Sequence, residues 1–303
     1  MTDGIVSARE VKHRSGLVLV LLAGTCWSIV GIGVRLMESP GAWQILVYRS
    51  LSLTVFLFVV ITVNSKGKPF PVYRKAGRAG VLGGLALVLA FSGSIVSVVN
   101  TTIANAMFLF ATAPFIAAVL GRVILGEAVR RSTWIAMAAA TAGVAIMVGE
   151  GFAVGHVLGN LAAIVSALGF ALFTIALRSG RDDDMLPAVS LGGLFTLVSA
   201  LVVCIVTGRS LAMTPADTSL ALGLGIFQLG LGLSLYTIGS KALPAAELAL
   251  LAMTEVVLGP IWVWLFLGET AGPYTLIGGA ILLTAIAGNA ITRLRRPPAP
   301  ISP

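Results

Sequence analysis

Ten separate stretches of this chain are each apolar for long enough to cross a bilayer, and no other feature limits the fold so strongly. A membrane-spanning helix needs ~20 mostly apolar residues in a row. Such stretches run over 15–36, 42–64, 78–99, 102–122, 132–149, 156–177, 186–207, 217–239, 243–266 and 273–292. They take up over two thirds of the 303 residues and leave short loops and two charged tails, 1–14 and 293–303. A β-barrel would show weaker, alternating segments of ~10 residues, whereas these runs are continuous, so the expected fold is an all-α integral membrane protein. Composition agrees, with 57% hydrophobic and 11% charged residues against roughly 25% charged in soluble domains. Such a chain cannot wet the surface of a soluble enzyme, a repeat solenoid or a disordered protein. The first run follows Arg9, Lys12 and Arg14, exceeds the h-region of a signal peptide and lacks a clear A-x-A site, so it reads as a retained span.

Scarce residue types remove further classes. Cys26 and Cys204 both lie in apolar runs, which leaves no disulfide framework and no CxxC pair. His13 and His156 lie outside the runs, so neither a membrane metalloprotease nor a haem site is expected. No GxxxxGK[ST] occurs, which excludes an ATP-driven pump within this chain. No cofactor is implied.

The net charge of +8 is explained by where the basic residues sit. With the N-terminus cytoplasmic, the cytoplasmic loops and tails hold Arg9, Lys12, Arg14, Lys66, Lys68, Arg74, Lys75, Arg78, Arg122, Arg130, Arg131, Arg178, Arg181, Lys241, Arg293, Arg295 and Arg296. These are seventeen of the 20 basic residues; Arg35 and Arg209 fall on the opposite side and Arg49 inside a span. That asymmetry follows the positive-inside rule and agrees with ten spans and both termini cytoplasmic. It accounts for the basic balance without nucleic acid.

The chain also repeats itself. Ala104–Gly143 aligns with Ala246–Ala285 at a constant offset of 142, most sharply at Leu125-Gly126-Glu127 and Leu267-Gly268-Glu269. Cys26-Trp27-Ser28 sits in the first span much as Gly169-Phe170-Ala171 sits in the sixth. Two five-helix halves result, 15–149 and 156–292, and because five is odd the second must enter the membrane inverted. Inverted repeats recur in secondary transporters, where they supply two related states for alternating access. The Leu-Gly-Glu triplets read first as helix punctuation, with Gly at the C′ turn and Glu near the next helix N-terminus; a substrate role for Glu127 or Glu269 is the minor reading.

These features together resemble the drug/metabolite transporter superfamily, specifically its EamA-type ten-helix exporters. The carrying residues are Trp27, Ala42-Trp43-Gln44 followed by Arg49, Pro114 in the fourth span, both Leu-Gly-Glu triplets and the small-residue helices after them. The resemblance spans essentially the whole chain. It implies multi-pass insertion in the cell inner membrane and export of metabolites, amino acids or toxic compounds; similarity to exporters of aromatic amino acids is the narrower version. Phe170, where the family often has Trp, and Val256 opposite Pro114, with Pro260 four residues on, depart from the pattern.

Polar groups are costly in hydrocarbon and usually face a bundle interior or a wet cavity. The candidates are Gln44, Tyr48 and Arg49 in the second span, Asn105 in the fourth, Gln228 and Tyr236 in the eighth, and Glu247 and Glu255 in the ninth. At 1.5 Å per residue, Glu255 lies roughly 18 Å from its helix start and Arg49 roughly 10 Å from its own. Gln228 is similarly central, and Glu247 is near enough to the cytoplasmic end to snorkel. A zwitterion needs one anionic and one cationic partner: Arg49 suits the carboxylate and Glu255 the ammonium, or Glu255 exchanges a coupling proton. Structural pairing of either is the competing reading. Among mid-span aromatics, Trp27, Phe91, Phe108, Phe170 and Phe227 are candidates to stack on a substrate, Trp27 first because its N–H needs a partner; Trp43, Trp134, Trp262 and Trp264 suit interfacial anchors. The candidate substrate-binding set is Trp27, Gln44, Tyr48, Arg49, Phe91, Asn105, Phe108, Gln228, Tyr236 and Glu255.

Small residues at Gly80/Gly84, Ala139/Gly143 and Ala280/Thr284/Gly288 permit close helix contact; in the fifth and tenth spans they tie the halves together or form a homodimer seam. Pro114, Pro244 and Pro260 are the candidate bending points. The expected function is a secondary active or facilitative exporter of small amphipathic solutes, amino acids first, with the bilayer and a small-molecule substrate as partners and protons as a coupling ion to test. A multidrug cation exporter is one alternative. A lipid- or isoprenoid-modifying membrane enzyme is another, although its only acidic run, Asp182-Asp183-Asp184, has no facing cluster. A channel is a third, without any visible filter segment or charge ring.

Overall fold

A computed structural model describes residues 2–38, 40–126, 129, 131–153, 156–179, 186–240, 243 and 245–295; for 2–12, 150–153, 240, 245–250, 252 and 293–295 it describes the backbone alone. Glu127, Arg130, Arg181, the Asp182-Asp183-Asp184 run, Lys241, Pro244, Arg296 and the side chain of Glu247 lie outside the described residues.

All regular structure among the described residues is helical. The helices are α1 (Thr2–Ser28), α2 (Val30–Arg35), α3 (Ala42–Asn64), α4 (Pro69–Asn100), α5 (Ile103–Phe110), α6 (Ala113–Leu125), α7 (Arg131–Ala153), α8 (Val157–Ser179), α9 (Leu186–Val206), α10 (Pro215–Gly223), a π segment (Leu224–Leu231), α11 (Gly232–Ser240), α12 (Ala245–Leu267) and α13 (Pro273–Arg295). By length and hydropathy, nine helical stretches among the described residues can cross a membrane, and the apolar stretch Met253–Leu267 within α12 adds a shorter one. The chain is thus a multi-pass membrane protein.

Four expected spans differ from plain helices. Helix α1 begins at Thr2, so the segment expected to be a tail continues the first span. That span breaks at Ile29 into α1 and α2. Helix α4 begins at Pro69, a residue whose missing N–H is tolerated in the first turn, and departs from helical geometry at Gly77, so the stretch expected from 78 is its second part. The fourth span breaks at Ala111–Thr112 because Pro114, in the first turn of α6, cannot donate to the carbonyl four residues back. In the eighth, the π segment inserts one wide turn.

With the spans numbered in chain order, the main contacts map onto themselves when each is exchanged for its counterpart five places along. Spans 3 and 6 pack as α4 on α8, matched by α11 on α1; α4 on α9 is matched by α10 and the π segment on α3; α6 on α8 is matched by α12 on α1. Helix pairs α3–α9, α5–α12 and α7–α13 are their own counterparts. The last is a backbone-to-backbone seam: a Cβ on Gly143 would lie 2.6 Å from the Gly278 carbonyl oxygen. Ala280, Thr284 and Gly288 are exposed, so the stripe expected to make contact faces away from α7, which packs on Gly278 and Leu282 instead.

The two Leu-Gly-Glu triplets end helices through Gly126 (φ 69°) and Gly268 (φ 68°), as the left-handed C-terminal turn requires. The Gly268 N–H donates to the Trp264 carbonyl at 3.1 Å and that of Glu269 to Val263 at 3.2 Å. Glu269, however, does not cap its own following helix. Its Oε1 accepts from the N–H of Ile103, the first residue of α5, at 2.7 Å, and Oε2 accepts from Arg35 Nε at 2.7 Å.

Candidate functional site

The candidate site grows from one residue that hydrocarbon should exclude. Arg49 occupies the second turn of α3 and is 1% exposed. A guanidinium so buried needs partners, and the π segment supplies one. A wide turn re-aims side chains relative to an α-helix, and here Gln228 Oε1 accepts from Arg49 Nη2 at 2.7 Å and Nε at 3.3 Å. The approach is close enough to require Gly225: a Cβ there would overlap the Arg49 carbonyl and the Ser52 hydroxyl. Ser52 Oγ donates toward Leu222 O at 2.8 Å and lies 3.1 Å from Arg49 O, stitching α3 to the end of α10. The guanidinium also stands 5.8 Å from the centre of the Phe91 ring, within cation–π range.

Among the described residues, Arg49 Nη1 has no hydrogen-bond partner, and neither has Trp27 Nε1. Both border one cavity of ≈160 Å³. Its wall combines Phe91, Ser94, Ser166 and Phe170 from α4 and α8 with Phe110, Ala111, Ala113 and Pro114 at the break of the fourth span. Gln228, Leu229 and Leu233 come from the eighth span, Met253, Glu255 and Val256 from α12, and Ile286 from α13. Among the described residues, Glu255 is the only carboxylate on that wall and Arg49 the only cation. The surface is therefore largely apolar with one charge of each sign and two buried donors, each of which costs ~1–3 kcal/mol while unpaired. A bound anionic group is the kind of partner that would relieve that cost.

Of the ten candidates, the structure brings Trp27, Arg49, Phe91, Gln228 and Glu255 to this cavity. Tyr236 stands behind it, its ring centre 5.2 Å from that of Trp27. The other four lie elsewhere. Gln44 accepts from Gly41 N at 2.7 Å and donates to Ser210 O at 2.6 Å, closing the N-terminal turn of α3 onto the 207–214 loop. Tyr48 donates its hydroxyl to Leu211 O of the same loop at 2.9 Å. Asn105 joins a buried cluster with Asn160 and Thr101, bonding to both. Phe108 packs against Gly279 of α13.

Several wall residues were not selected from sequence. Ser94 follows Phe91 by three and Ser166 precedes Phe170 by four, so helical spacing from each aromatic pointed to them. Met253, two residues before Glu255, carried no such signal. Among the other aromatics, Phe227 is 59% exposed and faces outward rather than the cavity. Trp262 is not an interfacial anchor: its indole N–H donates to Ser28 Oγ at 2.9 Å, inside the bundle at the break of the first span.

Comparison with known proteins fits this architecture. One solved crystal structure, 17% identical, superposes with a TM-score of 0.66 over 94% of this chain and 99% of that one, which shows a shared fold. The pseudopaline exporter CntI of Pseudomonas aeruginosa (strain UCBPP-PA14) is 24% identical over 287 residues, covering 90% of this chain and 94% of that protein. The sequence pattern of the EamA-like transporter family matches twice, at residues 14–149 and 157–291. Matched over nearly its whole length, the chain belongs to the EamA-like transporter family.

Proposed function

We propose that this transporter is a secondary exporter of small amphipathic metabolites that carry both charges, amino acids above all, working by alternating access around the Arg49–Glu255 cavity. The observation that carries the reading is the cavity's charge pattern among the described residues: one cation, one carboxylate and two unpartnered buried donors on a largely apolar wall. A carboxylate fits Arg49 Nη1 and Trp27 Nε1, an ammonium fits Glu255, and an apolar or aromatic side chain fits Phe91 and Phe170. A cavity of about 150 Å³ is large enough for a single aromatic ring, which favours a small solute. That a relative is a pseudopaline exporter supports export as the direction.

The two halves, 15–149 and 156–292, are inverted repeats in this proposal, with both termini cytoplasmic and the protein in the inner membrane. The exchange-symmetric packing and the seventeen basic residues on one side support this arrangement. Glu255 is the group through which a proton would couple to transport. Gly143 and Gly278 pack on each other within one chain, while the Ala280, Thr284 and Gly288 stripe of α13 is exposed, so a monomer and a homodimer both fit. A multidrug cation exporter would use Glu255 and the rings without Arg49.

The test is transport by purified protein in proteoliposomes, with a panel of amino acids and organic cations, with and without a pH gradient. Counterflow of zwitterions that Arg49→Gln abolishes supports the reading. Transport of cations alone, unaffected at Arg49, would replace it with the second one.

A further inference from the structure

Away from the cavity, three chain segments meet at a single ion pair. Arg35 ends α2 and Glu269 follows α12, 234 positions later; they touch through Nε and Oε2 at 2.7 Å. Both side chains are under a third exposed. Arg35 also donates to the end of α4, Nη1 to Val98 O at 2.9 Å and Nη2 to Thr101 O at 2.7 Å. Glu269 spends its second oxygen on the first N–H of α5. One planar guanidinium and one carboxylate thus hold α2, the α4–α5 turn and the 268–272 loop together.

Both short helices in this knot lie beyond a break in their span. Helix α2 is separated from α1 at Ile29, and α5 from α6 at Ala111–Thr112. Each break sits beside the cavity: Trp27 and Ala111 line its wall. The two end segments also pack on each other, Gly31 of α2 against the Ile103 side chain. A break gives a hinge only where the segment beyond it can be released, and here one charge pair that crosses between the two family repeats ties both segments to each other, alongside the Asn105–Asn160 bond from α5 to α8 and the Glu38 N–H to Asp217 bond just past α2.

We propose that Arg35 and Glu269 are gating residues: paired, they close the cavity on the face where α2 ends, and their separation lets α2 and α5 swing about Ile29 and Ala111–Thr112 to open it. This rests on the alternating-access reading of the cavity. The closed face is the one opposite the N-terminal start of the chain's first span.

The test is a labelling rate, which needs no substrate. In a background with Cys26→Ser and Cys204→Ser, Ser94→Cys places a single thiol on the cavity wall, and a membrane-impermeant maleimide is added from the Arg35 face. Glu269→Gln keeps an oxygen for the Ile103 N–H but removes the charge. An ion pair of this exposure holds a closed state by roughly 1 kcal/mol, so Glu269→Gln and Arg35→Gln are expected to label about fivefold faster. Arg35→Cys with Glu269→Cys, joined by a membrane-impermeant bis-methanethiosulfonate that forms a mixed disulfide with each thiol and releases methanesulfinate, is expected to label at Ser94→Cys at least fivefold slower, with recovery once reduction cleaves both disulfides. Equal rates in all four proteins would overturn the gate and leave the pair a static tie. Gated labelling without transport of any solute would instead overturn the exporter reading and keep the gate.

Discussion

Replacing Gln228 tests the architecture of the site and its chemistry separately. In Gln228→Leu the side-chain volume is nearly kept, so little cavity is created, but Arg49 loses its acceptor. Two contacts go, at 2.7 and 3.3 Å; the longer lies past the usual 2.7–3.2 Å range and counts for little. A hydrogen bond to a charged group contributes about 1.5–3 kcal/mol in proteins generally. Side-chain hydrogen bonds within bilayers average only ~0.6 kcal/mol, because the unfolded chain finds other partners there. A guanidinium buried to 1% exposure has few substitutes, so the upper part of that span applies. We expect a loss of about 2 kcal/mol, a roughly 30-fold shift in the unfolding equilibrium, measured by unfolding in mixed micelles of rising SDS fraction. Gln228→Glu asks the second question. A carboxylate at this position satisfies Arg49 internally, so stability is kept while binding of any carboxylate-bearing solute falls at least tenfold by tryptophan fluorescence titration. A Gln228→Leu protein within about 0.5 kcal/mol of the parent would show that Gln228 does not hold Arg49. Undiminished binding by Gln228→Glu would show that Arg49 does not read an anion.

Three further outcomes are expected. Trp27→Phe removes an N–H that has no partner in the protein, so stability should change by under about 1 kcal/mol while affinity for a zwitterion drops several-fold, read from the same titration. Glu255→Gln should abolish any acceleration of transport by a pH gradient while leaving substrate-independent folding intact, measured by proteoliposome uptake at matched and stepped pH; unchanged gradient dependence would remove Glu255 from coupling. Gly143→Leu forces a side chain into the Gly278 backbone and should cost at least about 1–3 kcal/mol by overpacking, seen as reduced thermal stability in detergent; a fully stable variant would mean that α7 and α13 part easily.

Length and apolarity made the spans legible, because a bilayer demands long apolar helices and forbids most alternatives. The breaks were harder to see. Pro114 announced the one at Ala111–Thr112, but Ile29 sits in an unremarkable apolar run, and the π segment has no sequence mark beyond its glycines. For the site, the rule that charges in hydrocarbon face a cavity found Arg49, Gln228 and Glu255, residues 206 positions apart at the extremes. The same rule overreached at Gln44 and Tyr48, which lie near a helix end where a loop carbonyl is available. It overreached again at Asn105, where the first turn of α8 supplied the buried Asn160. Depth along a span can be counted from the sequence, but whether a nearby loop folds back to satisfy a polar group cannot. Glu269 shows the same limit: its role lies with Arg35 and Ile103, neither of which is near it in the chain.

The Gly143–Gly278 seam has a consequence for how this protein tolerates change. Helices α7 and α13 are joined through main-chain atoms, and among their described residues only Ile286 reaches the cavity. In the proposed gating, the pair is a strut beside the segments that move. Substitutions along it should alter how much transporter accumulates in the membrane, since packing sets survival there, yet leave the choice of solute untouched. Selectivity and abundance would then be tuned by separate sets of positions, and a library restricted to α7 and α13 could raise yield without redrawing what the transporter carries.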